Sequence, residues 1–216
     1  MVNMTEKEFV EAIGELGITP IEEQLKKLNQ FYTLLIEWNK KINLTRITDK
    51  EEVYLKHFYD SLTIVKEVEL SKVETLCDVG TGAGFPGIVL KIFYPNLKVT
   101  LIDSLLKRVK YLQNIIEQLK LDDIVAIHTR GEDYHETFDI VTARAVANIE
   151  KLLKYTMHLV KKDGKLIAMK GNIEEELTEK IQKEINKKYK LVKINKFYLP
   201  KENSHRSLVI ITKKGQ

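Results

Sequence analysis

The spacing of apolar positions changes near residue 73, and that change divides the chain. Before it, apolar residues recur at helical intervals. Leu25, Leu28, Tyr32, Leu35 and Ile36 share one face of "PIEEQLKKLNQFYTLLIEWNK", which predicts an amphipathic helix with Thr19 as N-cap and Pro20 in its first turn. A shorter helix is expected over about residues 5–16, and "DKEEVYLKHFYDSLTIVKEV" reads as a third. Residues 1–70 are therefore expected to form a helical extension and residues 71–216 the main domain.

Beyond residue 73, short apolar runs take over. "VETLCDV", "KVTLID", "DIVAIHT", "FDIVTAR" and "GKLIAMK" have the character of buried parallel strands, with amphipathic helices between them. That alternation predicts an α/β fold with a doubly wound sheet. After the helical stretch "NIEEELTEKIQKEINKK", the runs "YKLVKINKFYL" and "RSLVIITKK" are separated only by a short loop, so they must pair antiparallel. Five parallel strands followed by an antiparallel hairpin is the expected sheet.

The first strand runs into "CDVGTGAGFPG", residues 77–87. Gly82-Ala-Gly84-Phe-Pro-Gly87 fits G-x-G-x-x-G, and Asp103 lies 21 residues beyond Gly82. A nicotinamide-dependent oxidoreductase is one reading of that pattern. Three features favour a cofactor without phosphate. Asp78, at the tip of the first strand, would repel a pyrophosphate but suits an amino group. Pro86, placed in the first turn of the next helix, has no N–H to give a phosphate oxygen. The antiparallel hairpin, finally, is foreign to the dinucleotide-binding pair of halves.

Composition narrows the classes further. With 44% hydrophobic and 31% charged residues, the 216-residue chain is expected to be a soluble globular protein. Cys77 is its one cysteine, which excludes an internal disulfide and a thiolate metal cluster, and no metal is expected. The acidic N-terminal stretch lacks the features of a secretory signal, and no run is long enough to span a bilayer, so a cytoplasmic protein without membrane association is expected. Residues 1–70 hold 9 basic and 13 acidic side chains, a net of −4; residues 71–216 hold 26 and 18, a net of +8. The basic C-terminal portion points to a polyanionic partner, with late lysines such as Lys187, Lys188 and Lys190 as candidate phosphate contacts.

The acid-G-x-G-x-G loop and the terminal hairpin together resemble the class I S-adenosylmethionine-dependent methyltransferases. "EWNKKINLTRIT", "HFYDSL", "DVGTGAGFPGIVL", "KRVKYL", "RGE" and "ARAVANIEKLL", in that order, resemble the RsmG (GidB) family and span nearly the whole chain. The resemblance implies an enzyme that transfers a methyl group from S-adenosylmethionine to N7 of a guanine in 16S ribosomal RNA of the small subunit; nothing in the sequence demands more than a monomer, which is the state expected. Asp78, Gly80, Gly82, Gly84, Phe85, Asp103, Gly131, Glu132 and Arg144 then become candidate cofactor residues. Lys107, Arg108 and Lys170 become candidate substrate residues, with Arg144 also positioning the substrate. Where the family usually has Ala in "RGE", this chain has Gly131, from which little loss is expected.

The residues allow other roles. Asp103 could accept both ribose hydroxyls or cap the helix that follows; Arg144 could grip a phosphate or base edge, or form a structural ion pair. Asn39, Asn43, Thr45, His57, Asp60 and Ser61 cluster around Trp38 in the extension, as helix-packing polar groups or as a rim over the site. The chemistry itself asks little: guanine N7 carries a lone pair and no proton, so attack on a sulfonium methyl needs alignment and electrostatics, not a general base. Cys77, inside a strand, is badly placed for attack at cytosine C5, and "TARAVAN" lacks the Asp/Asn-Pro-Pro-aromatic run common in amino-group methylation. An RNA-binding assembly factor without catalysis stays open as an alternative.

Overall fold

A computed structural model describes residues 4–215. Helix α1 (Glu6–Glu15) begins at a capping box: Glu8 N–H donates to Thr5 Oγ1 at 3.3 Å, and Thr5 N–H donates to the Glu8 carboxylate at 2.9 Å. Helix α2 (Glu22–Ile42) starts later than Thr19 and Pro20 predict. Ile21 stands at its N-cap, with its N–H donating to Gln24 Oε1 at 3.0 Å. Gln24 is itself held by the carbonyls of Ile92 and Phe93, so tertiary contacts fix this helix start.

The third helical stretch is broken. Helix α3 (Lys50–Val53) passes into a π-turn at Tyr54–Tyr59, then α4 (Asp60–Leu62) and a 3₁₀ turn at Thr63–Lys66. Wide turns of this kind frequently lie at functional sites, and this one carries His57.

Strands β1 (Thr75–Val79), β2 (Lys98–Asp103), β3 (Ile124–His128), β4 (Phe138–Arg144), β5 (Val160–Lys170), β6 (Tyr189–Tyr198) and β7 (His205–Lys213) form one sheet in the order β3-β2-β1-β4-β5-β7-β6. β1 to β5 run parallel, and β7 pairs antiparallel with both β5 and β6. The predicted five parallel strands and hairpin are present, with the hairpin's second strand inserted beside β5.

Helices α5 (Gly87–Phe93) and α6 (Leu106–Gln118) connect the first three strands; α7 (Ile149–Thr156) and α8 (Glu179–Lys188) serve the other half. Pro86 is the N-cap of α5 and precedes its first turn. Helix α8 is shorter than its sequence pattern predicts, because Thr178 caps it by accepting from Ile181 N–H.

One apolar layer joins the extension to α5 and α6. Phe31 packs against Phe58 and Phe85 at ring separations of 5.7 and 5.3 Å, and Phe9 meets Phe93 at 6.4 Å. Burying each such ring contributes about 1.5–3 kcal/mol. A second layer holds α7 and α8. The chain builds outward from β1 through β2 to β3, then returns to place β4 on the other side of β1. At that reversal the carboxyl ends of the strands leave a crevice, the usual ligand position in such sheets.

Candidate active site

Two adjoining cavities occupy this crevice, and Gly80 lines both. The smaller, about 270 Å³, lies between Asp103, Ser104, Gly131, Glu132 and Val146. The larger, about 530 Å³, runs from the glycine loop to the extension and the hairpin, past His57, Phe85, Arg108, Arg144, Lys170 and Arg206.

The loop glycines divide their work. Gly80, Gly82 and Gly84 have φ of +68°, +60° and +94°, where a side chain is strained. A Cβ on Gly82 would meet only the Gly80 carbonyl, at 3.9 Å, so this position opens to the cleft. A Cβ on Gly80 would lie 2.7 Å from Val146 Cγ2. On Gly84 it would lie 2.6 Å from Ile88 Cγ1 and 3.2 Å from Leu112 Cδ2, so Gly84 faces the core, contrary to its expected place against a cofactor.

Asp78 also departs from expectation. It is fully buried beneath the loop, where Oδ2 accepts from Thr81 Oγ1 at 2.7 Å and from Gly87 N–H at 2.9 Å. Burial pushes its carboxyl up to about 6, against the downward pull of those two hydrogen bonds and of Arg144. It shapes the loop from below and does not line either cavity.

Asp103 ends β2 beside the smaller cavity, 2% exposed. Its Oδ2 accepts from Gly82 N–H at 3.0 Å, and Arg108 Nη1 lies 3.4 Å away; Oδ1 accepts from Leu105 N–H at 2.9 Å. It thus ties the loop to the start of α6 while facing the crevice. Arg108 lines the larger cavity, whereas its neighbour Lys107 is exposed and lines neither, which parts the two predicted substrate residues. Gly131 is closely packed: a Cβ would lie 2.8 Å from both the Tyr155 carbonyl and Val79 Cγ1. An alanine at this position would need its neighbours to move. Glu132 is exposed at the rim, 3.7 Å from Arg130.

Arg144 is the joint between the sheet and the extension. Its Nη1 donates to Asp60 Oδ2 and to the Lys56 carbonyl, both at 3.1 Å, and its Nη2 lies 3.2 Å from His57 Nδ1. The guanidinium carbon sits 5.1 Å over the Phe85 ring. His57 stacks on Phe85 at 4.5 Å and reaches Thr45 Oγ1 with Nε2 at 3.0 Å. Thr45 N–H in turn donates to Asn39 Oδ1 at 2.8 Å. Burial first, and the Arg144 charge second, push His57 down to about 3, so the ring is neutral. Lys170 donates to the Ala147 carbonyl and to Glu176, at 2.9 Å to its Oε1.

The family model described as "rRNA small subunit methyltransferase G" (GidB) matches residues 24–208. The "Ribosomal RNA small subunit methyltransferase G" of Bacillus subtilis (strain 168) is 44% identical over 97% of this chain and 91% of its own length. The chain belongs to this family. The protein of the same name from Exiguobacterium sibiricum is also 44% identical, over 98% of this chain and 92% of its own. A SAM-dependent methyltransferase from Aquifex aeolicus shares the fold, with a TM-score of 0.57 and 19% identity over 82% of this chain and 97% of that one. The enzyme is accordingly an S-adenosylmethionine-dependent methyltransferase, and the nicotinamide reading of the glycine loop falls.

Features of this methyltransferase fit such a cofactor: the open Gly82, the carboxylate of Asp103 at the end of β2, and the cavity between Asp103 and Gly131. Sequence reasoning places Arg206 only among the late basic residues of the hairpin, without its partner. Arg206, on β7, shares Asp60 with Arg144: its Nε donates to Asp60 Oδ1 at 3.1 Å. Asp60 and Arg206 lie 146 residues apart, so no local spacing reveals the pair. The lysines at 187, 188 and 190 turn out to stand at the opposite end of the hairpin from this cavity, about nine strand residues or 30 Å from Tyr198.

Proposed function

We propose that this methyltransferase modifies N7 of a guanine in 16S ribosomal RNA, with cofactor in the smaller cavity and around the glycine loop, and the target base in the larger. The observation that carries the reading is the state of the polar groups lining the larger cavity. His57 is neutral and held by Thr45 and Arg144, and each oxygen of Asp60 is engaged by an arginine. Neither is free to take a proton from a substrate. A nucleophile that carries no proton suits such a cavity, and guanine N7 is one.

The cofactor supplies an electrophilic methyl group on a sulfonium. The residues of the chain bind and align. Asp103 offers a carboxylate to hydroxyl groups in the smaller cavity, which Gly80, Gly131 and Glu132 also border, and the open Gly82 admits close approach. Phe85 presents a ring edge or face to the larger cavity, and Arg144, Arg108 and Lys170 line it with positive charge. The reaction makes the base cationic as the sulfonium becomes neutral, so positive charge migrates without growing, and fixed dipoles suffice.

The small ribosomal subunit or its RNA is the partner this reading implies, encountered in the cytoplasm by a monomeric enzyme. No helix among the described residues is long and apolar enough to cross a membrane. Substrate RNA carrying 7-deazaguanine at the target keeps the base's size and pairing edge but lacks the lone pair. It should accept no methyl group, and transfer at that position would mean another acceptor atom.

A further inference from the structure

Asp60 carries more than its own share of charge. It is the one acidic side chain among the residues lining the larger cavity, which also include Lys56, Arg108, Arg144, Lys170 and Arg206. Its Oδ2 receives Arg144 Nη1 and its Oδ1 receives Arg206 Nε, both at 3.1 Å, with the carboxylate side chain only 6% exposed. Two guanidinium groups therefore share one negative charge, leaving the trio net positive at the wall of a cavity.

Arg206 is also held rigidly. Besides Asp60, its Nη1 donates to Ser204 Oγ at 2.5 Å and to the His205 carbonyl at 3.0 Å. Its Nη2 has no hydrogen-bond partner among the described residues and is not among their buried unpaired atoms. Fixed on three sides with one N–H₂ left over, the guanidinium is prepared for an anionic oxygen.

We infer that Arg206, set in place by Asp60, binds a phosphodiester group of the nucleotide being methylated. This rests on the proposed RNA reaction. The anion could otherwise be the carboxylate of the cofactor, and position favours the phosphate. Arg206 is the second residue of β7, which is separated from β1 and its glycine loop by β4 and β5. Three strand spacings amount to about 14 Å at the backbone. Arg144, at the end of β4 next to β1, is the arginine nearer the glycine loop along the sheet. Arg206 lies on the hairpin side, beside Phe197, Ser207 and Lys56, which line the same cavity.

The test places a single neutral methylphosphonate linkage on either side of the methylated guanosine in substrate RNA and follows kcat/KM with the full chain. For the wild type, one of the two linkages should lower kcat/KM roughly 10- to 100-fold, the range for a hydrogen bond to a charged group. Arg206→Gln should show a similar loss on unmodified RNA and be indifferent, within about twofold, to that linkage. Its calorimetric affinity for S-adenosylmethionine should match the wild type. If the wild type tolerates both neutral linkages, Arg206 does not bind a phosphate of this nucleotide. If Arg206→Gln loses cofactor affinity as steeply as kcat/KM, the anion is the cofactor's carboxylate and the inference is overturned. Should Arg206→Gln fail to fold, the wild-type linkage comparison stands alone and Arg206→Lys replaces it in the calorimetry. Methylation of an atom other than N7 would sink the proposed acceptor while leaving these ratios readable. No methyl transfer to RNA at all would overturn both.

Discussion

Alanine at Gly82 and alanine at Gly84 should fail in different ways, although both sit in the same glycine loop. Each position has positive φ, +60° and +94°, and a side chain in that region costs about 1–2 kcal/mol. At Gly82 that strain is the whole penalty, because the added Cβ meets nothing closer than the Gly80 carbonyl at 3.9 Å. At Gly84 the Cβ would press on Ile88 Cγ1 at 2.6 Å and Leu112 Cδ2 at 3.2 Å. Overpacking adds about 1–3 kcal/mol, for a total of about 2–5 kcal/mol. Urea unfolding should therefore rank Gly84→Ala clearly below Gly82→Ala in stability. Calorimetry with S-adenosylmethionine, under conditions where both variants are folded, should rank them the other way. Gly82→Ala should lose at least about tenfold in affinity, because its methyl group stands in open cleft, while Gly84→Ala should bind nearly as the wild type does. Wild-type affinity for Gly82→Ala, or equal stability for the two variants, would refute this division of the loop.

Asp103→Ala should weaken cofactor binding by roughly 1.5–3 kcal/mol, the scale of a charge-assisted hydrogen bond; unchanged affinity in a folded variant would return Asp103 to a purely structural role. Arg144→Ala should cost stability, since Asp60 and His57 each lose a donor, and should cost far more in methyl transfer to RNA; an unaltered rate would leave Arg144 as an ion-pair residue only. Asp78 and His57 should pull the acid stability profile in opposite directions. Burial raises Asp78 from 3.8 to about 6, so its contribution is full below 3.8 and is lost as pH rises through about 6. Burial lowers His57 from 6.5 to about 3, so its contribution is full above 6.5 and is lost as pH falls towards 3. Denaturation midpoints measured from pH 3.8 to 6 should accordingly fall more steeply on acidification for Asp78→Asn and less steeply for His57→Gln, and parallel profiles would contradict both assignments. Replacing Lys187, Lys188 and Lys190 with Gln should now leave the salt dependence of RNA methylation nearly unchanged, because these side chains stand far from the cavity; a slope flattened by about 2 would restore them as phosphate contacts.

The strands were legible because buried strands are spelled by residue type alone. "KVTLID" and "FDIVTAR" coincide with β2 and β4 to the residue, and the hairpin follows from the want of a helix between two apolar runs. Helix starts were less legible, since distant partners decide them. Gln24, held by carbonyls of α5, moves the start of α2 past Pro20. The π-turn over Tyr54–Tyr59 has no local signature: the sequence there is an ordinary helical one. In the site, glycines and the acid after β2 could be found by spacing, because loop geometry is a local matter. Which way each group points is not. Asp78 and Gly84 fit the motif as well as Gly82 and Asp103 do, yet both turn inward. Arg206 and Asp60 are brought together only by the tertiary fold.

The position of Arg144 shows why the extension and the sheet must act as one. The strand alone brings its Cα to the crevice, but its guanidinium is oriented by Asp60, the Lys56 carbonyl and His57, all from the extension, within 3.1–3.2 Å. Phe85 couples the two halves again: it follows the core-facing Gly84, packs against Phe31 and Phe58, and carries His57 on its face. A shift of the π-turn would therefore move Arg144, the Phe85 ring and, through Asp60, Arg206 together. The charges proposed to align a base with a methyl group are thus referred to a single rigid frame. That frame is apolar at its base, where Phe31 and Phe58 are fully buried, and ionic at its rim, where the side chains meet the cavity. Packing sets the distances within it, and the shared carboxylate of Asp60 sets the orientation, which is what a reaction without proton transfer requires of its protein.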